Sequence, residues 1–332
     1  MRLVPRTIYA SFKIVDIVEG SAQCWAGLLG REEVRYRLTT YEVGEWRAIA
    51  QVPQGFSELG IGTVVRFGDT PLKEKVCPGA EELVLSGDRI VMRREPCWEV
   101  PPKGMPFCPK HFNTNYGRYI RFVFGSGKPD PGNPFFKLPA LVYMIYYGSS
   151  RLKVGTTIVL KGMRRFLEQP SPIASPLVIA PSIVEARKAE VGISRHRSVT
   201  QAPRQAERLS NLVSMLRDRV RWAPRAACAL HSIKTHISVV LKQALSDHAT
   251  EYGEPYKLIS LMPVGEEIGG KILMVHSIKE ANRLLGGRQC TISAAYTGLL
   301  ILRCSSEAVG LPFELVRDRL IEVEELVPVG QG

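Results

Sequence analysis

The sequence predicts an α+β protein of several domains, and three observations lead there. A chain of 332 residues exceeds one domain of ordinary size and leaves room for two or three. Short alternating runs such as VRYRLTTYEV and WRAIAQV, divided by turn residues such as Gly44-Glu45, fill the first seventy positions, the pattern of a small sheet or barrel. Farther on the period changes: Leu209, Leu212, Val213, Leu216 and Val220 recur at helical spacing. The chain therefore divides into a β-rich domain (1–69), a Cys/His-containing β segment and linker (70–138), a central three-stranded sheet with flanking helices (139–200), a basic helical arm (201–250) and a small C-terminal α+β unit (251–332).

The N-terminal MRLVPRTIYASFKIVDIVEG reads as a strand, since it has neither the apolar core nor the cleavage site of a signal peptide. Burial habit assigns Trp25, Trp46, Phe56 and Phe67 to the core of the first domain. No apolar run approaches the ~18 residues that cross a bilayer, so no membrane partner is expected.

In the second segment Cys77, Cys97, Cys108 and His111 supply four soft ligands, the last two in a C-x-x-H step. Four N/S ligands close a structural zinc site and leave no vacant position for catalysis. The run ELVLSGDRIVMRRE between the cysteines is a hairpin that folds the two halves together. The plain alternative is three buried thiols and a surface histidine. Cys24, Cys228, Cys290 and Cys304 lie in apolar contexts and are assigned to the core. An odd count of seven cysteines without an export signal points to a reducing, cytoplasmic compartment. RYIRFVF, from Arg118, reads as a strand, and the later GSGK lacks the spacing of a phosphate-binding loop.

From Leu141 to Ser194 the order is strand, strand, helix, strand, helix. LVYMIYY turns through Gly148-Ser149-Ser150-Arg151 into LKVGT, MRRFLEQ ends at Pro170, and Ser182 three residues before Glu185 forms a capping box. That order and its residues resemble the GIY-YIG nuclease superfamily. LVY with Tyr143 stands at the first motif and KVG with Gly155 at the second, where Lys153 takes the place of the usual Tyr. Arg164 or Arg165 matches the helix arginine, and EARKAE, Glu185 to Glu190, matches the helix carrying the family's glutamate. The LKVG, RRFLEQ and EARKAE pieces also resemble an uncharacterised family that places a cysteine cluster before such a domain. The resemblance implies a Mg²⁺ held by Glu190, a proton handled by Tyr143, and Lys153 and Arg165 relieving charge on a phosphoryl group. Each residue also has a plain role: Tyr143 as packing, Glu190 as an ion-pair partner on its helix, Lys153 as an edge-strand lysine.

The net charge of +12 and pI near 9.5 suit a polyanionic partner, either nucleic acid (RNA or DNA) or an anionic membrane surface, with a merely basic protein as the plain alternative. Between Glu185 and Arg225 ten Lys/Arg face four Asp/Glu. Arg164, Arg187, Arg195, Arg197, Arg204 and Arg208 are the candidates for phosphate contact, with a solvated helix face as the plain alternative. Trp222-Ala223-Pro224 marks a helix break, and a second helix follows from about Arg225 to Asp247, its His231 and His236 too far out of phase to share a metal. The C-terminal unit shows strands at KLISLM, GKILMVH, CTISA and GLLILR, with a capped helix from Ser277. Two functions fit: a Mg²⁺-dependent nuclease, or a nucleic-acid-binding protein that reuses the same fold without cleavage. They part on geometry. A nuclease needs Tyr143, Lys153, Arg164 or Arg165, and Glu190 in one open cleft.

Overall fold

A computed structural model describes the chain except for residues 26–29, 88, 150, 246–251, 266–270 and 329–332. The chain begins with strands β1 (Arg2–Trp25), β2 (Arg31–Val52), β3 (Gly55–Gly60), β4 (Val64–Lys75), β5 (Ala80–Ser86) and β6 (Arg89–Glu95). Helices α1 (Pro109–Phe112) and α2 (Asn115–Val123) follow. The central stretch is β7 (Ala140–Tyr146), β8 (Leu152–Ile158), α3 (Arg164–Leu167), β9 (Ile173–Ala180) and α4 (Ile183–Ile193). Next come β10 (Val199–Thr200), α5 (Gln205–Ser210), α6 (Leu212–Arg217), α7 (Arg219–His231) and α8 (Lys234–Leu245). The last part is β11 (Tyr256–Leu261), β12 (Val264–Gly265), β13 (Ile272–Met274), α9 (Ile278–Leu285), β14 (Gln289–Tyr296), β15 (Leu299–Cys304), β16 (Glu307–Pro312), α10 (Phe313–Val316) and β17 (Arg319–Val327).

These elements form two units, neither contiguous in sequence: unit 1 is Met1–Ser11, Glu45–Lys137 and Val264–Gly332, and unit 2 is Phe12–Gly44 and Leu138–Pro263. The serial division expected from sequence is replaced by interleaving, because strand pairing joins distant segments. In unit 1, β17 pairs antiparallel with β4 and with Arg2 and Leu3 of β1, so the two ends of the chain share one sheet. That sheet continues through β14, β15 and β16 to β13. In unit 2, β7 lies between β8 and β9, β11 meets β9, and β11 runs parallel to Tyr36–Tyr41 of β2. KLISLM, read as part of the C-terminal unit, thus belongs to unit 2.

Local signals were followed in most places. β5 and β6 pair as a hairpin, from Ala80 opposite Glu95 to Ser86 opposite Arg89. Both capping boxes form: the Ser182 and Ser277 hydroxyls accept from the amides of Glu185 and Glu280 at 3.3 and 3.2 Å. Three expectations are corrected. RYIRFVF lies in helix α2, because the Thr114 hydroxyl accepts from the Gly117 amide and starts a helix that buries Tyr116 and Tyr119 against Phe135. Pro224 breaks nothing: it sits inside α7, and the break falls instead at Ser232-Ile233, before α8. The expected helix end at Asp247 lies outside the described residues. Trp46 and Phe67 are buried as expected, whereas Trp25 and Phe56 are exposed.

Of the four cysteines assigned to the core, Cys24, Cys290 and Cys304 are buried there, and all four pair, as Cys24–Cys228 within unit 2 and Cys290–Cys304 within unit 1. The odd count is therefore four paired cysteines plus three that cluster with His111, and it no longer argues for a reducing compartment. Unit 2 is also tied by His231, buried between Glu32 (3.0 Å) and the Tyr256 hydroxyl (3.2 Å), which joins β2, α7 and β11. Among the described residues no helix is long and apolar enough to cross a membrane.

The centre of unit 1 is Arg6, fully buried on β1. Its guanidinium donates to the Cys77 carbonyl (2.9 Å), the Asp318 carboxylate (2.9 Å), the Gln51 side-chain oxygen and the Cys97 carbonyl. Removing one partner of such a network leaves the others buried without compensation. Arg6→Met should cost roughly 3–5 kcal/mol of unfolding free energy, measured by urea denaturation with native-state circular dichroism as the control for folding.

Candidate functional site

The four soft ligands meet in unit 1. Cys77, Cys97, Cys108 and His111 are all buried, and their ligand atoms lie within 4.8 Å of one another. His111 Nδ1 is 3.3 Å from Cys108 Sγ and 3.5 Å from Cys77 Sγ, and Cys97 Sγ is 3.9 Å from Cys108 Sγ. A tetrahedral ion with metal–sulfur bonds of about 2.3 Å and a metal–nitrogen bond of about 2.0–2.1 Å separates its ligand atoms by roughly 3.5–3.8 Å, so the observed spacings fit an ion such as zinc.

The sequence builds this cluster by simple means. The β5–β6 hairpin sets Ala80 against Glu95 and so brings the flanking Cys77 and Cys97 together. Gly79, between them, has φ +78°, and a Cβ there would lie 2.0 Å from the Glu95 carbonyl oxygen, so only glycine closes the turn. Cys108 stands just before α1, and its carbonyl accepts from the His111 amide at 3.1 Å, which folds the C-x-x-H step back on itself. The other histidine nitrogen, Nε2, is buried without a hydrogen bond and faces the Glu95 carboxylate at 3.6 Å. That orientation suits a metal-bound imidazole, whose far nitrogen commonly turns to a carboxylate. Burial pushes the Cys108 thiol up to about 12 and raises Cys97 as well. As bare thiols both would stay protonated, and a bound cation is what stabilises the thiolates.

The second group of predicted residues lies in unit 2, on β7, β8, α3 and α4. Tyr143 is directly opposite Gly155 across the β7–β8 ladder, and a Cβ at 155 would sit 2.7 Å from the Tyr143 ring and hydroxyl. The KVG glycine is therefore the floor beneath the tyrosine ring. Phe166 of α3 meets the same ring edge-on, with centroids 5.1 Å apart. The buried Tyr143 hydroxyl accepts from Gln169 Nε2 at 2.9 Å, and Gln169 Oε1 accepts from Lys153 Nζ. Tyr143, Gln169 and Lys153 thus form one polar chain on one face of the sheet.

Glu190 belongs to the other face. Its Oε2 accepts from the Thr156 hydroxyl at 2.7 Å, and its Oε1 takes the Arg187 guanidinium at 2.8 Å. Thr156 is adjacent to Gly155 on a strand of unbroken register, and neighbouring strand residues point to opposite faces. The sheet itself therefore separates the Tyr143 hydroxyl from the Glu190 carboxylate. Arg164 and Arg165 lie 3.9 and 3.7 Å from the buried Glu168 carboxylate. The expectation of a single cleft joining Tyr143, Lys153, an arginine and Glu190 is corrected: tyrosine and lysine come together, and the glutamate does not join them. Of the candidate phosphate contacts, Arg195, Arg197 and Arg204 are exposed, while Arg164, Arg187 and Arg208 are partly buried.

Sequence reasoning missed Gln169, although it closes the RRFLEQ piece, and Arg6, a lone cation in the apolar run LVPRTIYA. No family model matches the chain, and no curated protein or solved structure matches it either.

Gly155→Ala should cost about 1–3 kcal/mol of stability, since the new methyl must displace a buried ring. Tyr143→Phe should cost about 1 kcal/mol by leaving the Gln169 amide unpaired. Both are read from denaturant midpoints.

Proposed function

We propose that the protein binds nucleic acid, RNA or DNA, through the basic surface of unit 2 and does so without cutting it, with a structural zinc ion stapling unit 1. The observation that carries this reading is where the charge lies. Unit 2 holds 22 Lys/Arg against 13 Asp/Glu, whereas unit 1 holds 22 against 19. Within unit 2 the surplus is concentrated after the start of α4, where Lys188, Arg195, Arg197, Arg204, Arg217, Arg221 and Arg225 are exposed. Exposed guanidinium groups suit phosphate, because each planar fork donates two hydrogen bonds to it. Neutralised phosphates release counterions, so binding of this kind weakens steeply with salt.

Cleavage has less support. A Mg²⁺ at Glu190 would share its oxygens with the hydrogen bonds from Thr156 and Arg187, and it would lie across the sheet from the Tyr143 hydroxyl. The GIY-YIG likeness supplies the order of elements, while a shared order does not by itself carry an activity. In the proposed zinc site Cys77, Cys97, Cys108 and His111 hold the ion, and Glu95 orients the imidazole. All four positions are taken, which makes the ion a staple.

Three measurements check this. Affinity for a labelled oligonucleotide should fall at least tenfold between about 50 and 200 mM salt, and Arg195→Glu/Arg197→Glu/Arg204→Glu should weaken it and flatten the salt slope. A salt-independent affinity would remove the polyanion reading. With Mg²⁺ the wild type, Glu190→Ala and Tyr143→Phe should give the same background of strand scission; cutting by the wild type that Glu190→Ala abolishes would restore the nuclease. Metal analysis should find one zinc per chain, lost in Cys108→Ser, and chelation should lower the melting temperature.

A further inference from the structure

The part of β1 that lies in unit 2, from Phe12 onward, has an open edge with a self-complementary sequence. The strand runs from Arg2 to Trp25 beside β2, and its other neighbour, β17, meets it at Arg2 and Leu3 alone among the described residues. The Tyr36 ring lies against Gly20, and Arg37 is ion-paired with Glu19, which fixes β2 on one side of the strand. On the other side no strand among the described residues is paired along Phe12–Gly20. Residues 13–17 are all exposed, among them Ile14 (50%), Val15 (44%) and Ile17 (51%). A long edge strand with exposed apolar residues is a template for another strand, and most proteins block such an edge with proline, a bulge or a covering loop. Phe12–Gly20 contains no proline.

The occupant is written in the sequence. Lys13-Ile14-Val15-Asp16-Ile17-Val18-Glu19 reads almost the same in reverse once charge is inverted at its ends. An antiparallel pairing of two copies about Asp16 sets Lys13 opposite Glu19, Ile14 opposite Val18 and Val15 opposite Ile17, each pair made twice. Lys13, Val15, Ile17 and Glu19 alternate onto one face, so that face would carry four β-branched side chains between two Lys–Glu pairs. Only Asp16 meets its own copy. Two like carboxylates then face each other at the dyad.

We propose that this edge is the interface of a two-fold homodimer, in which strand β1 of one chain pairs antiparallel with β1 of a second about Asp16. A dyad of this kind uses the same patch on both partners, which is why a self-complementary strand suffices.

Sedimentation velocity tests it at concentrations up to about 50 μM. The wild type should populate a dimer, and because a substitution acts twice across the dyad, Lys13→Glu should weaken it about tenfold or more. Glu19→Lys should do the same, and an equimolar mixture of the two variants should recover a dimer, since each chain then supplies the charge that the other lacks. Asp16→Asn should tighten the dimer by relieving the central repulsion, a result that only this register gives. Circular dichroism of each variant alone guards against misfolding. A monomeric wild type, a Lys13→Glu variant that dimerises unchanged, or a mixture that stays monomeric would overturn the proposal.

Discussion

Unit 1 depends on a buried positive charge. Arg6 is placed on β1 where no water reaches it, and its five donors are spent on a carboxylate, an amide oxygen and two main-chain carbonyls. The two carbonyls belong to Cys77 and Cys97, so the groups that hold the guanidinium also carry two of the four soft ligands. The charge and the cluster are therefore one construction. A metal ion would fix the ligand side chains while Arg6 fixes the backbone behind them. Arg94 extends the arrangement, donating to the Arg6 carbonyl at 3.1 Å while it is paired with the buried Glu81. Burying such groups is costly unless every partner is present, which makes the network intolerant of partial loss.

Unit 2 is organised differently. Its central sheet carries apolar residues on both faces, and its polar contacts are divided by the sheet rather than gathered by it. Tyr143, Gln169 and Lys153 satisfy one another on one side, and Thr156, Glu190 and Arg187 do so on the other. The arginines exposed after the start of α4 take part in neither set.

Much of this was legible in the sequence where the signal is local. The two Ser–Glu capping boxes, the β5–β6 hairpin and the C-x-x-H step follow from spacing within a few residues, and the strand order from Ala140 to Ala180 follows from one such run after another. The C-x-x-H step in particular needs only a tight turn. What escaped was set by partners far away in the chain. Cys24 and Cys228 look like core residues because each is apolar in context, and nothing near either one announces the other. RYIRFVF alternates like a strand, yet Thr114 caps it and the aromatic cluster around Phe135 rewards a helix. Glu190 was read as a ligand from its motif or, alternatively, as an ion-pair partner on its helix, and its pairing with Arg187 bears out the second. Its true neighbour, Thr156, is set by strand parity, and a shift of one residue in reading that parity moves a group to the opposite face.

The placement of β17 has a consequence for how the chain is made. Residues 319–327 fill the gap between β1 and β4. During synthesis those two strands must therefore wait, each with a bare hydrogen-bonding border, while nearly all of the rest of the polypeptide leaves the ribosome. Such borders attract stray strands in a nascent chain. The Cys/His cluster draws all four of its ligands from residues 77–111, so its members are made well before that missing strand arrives.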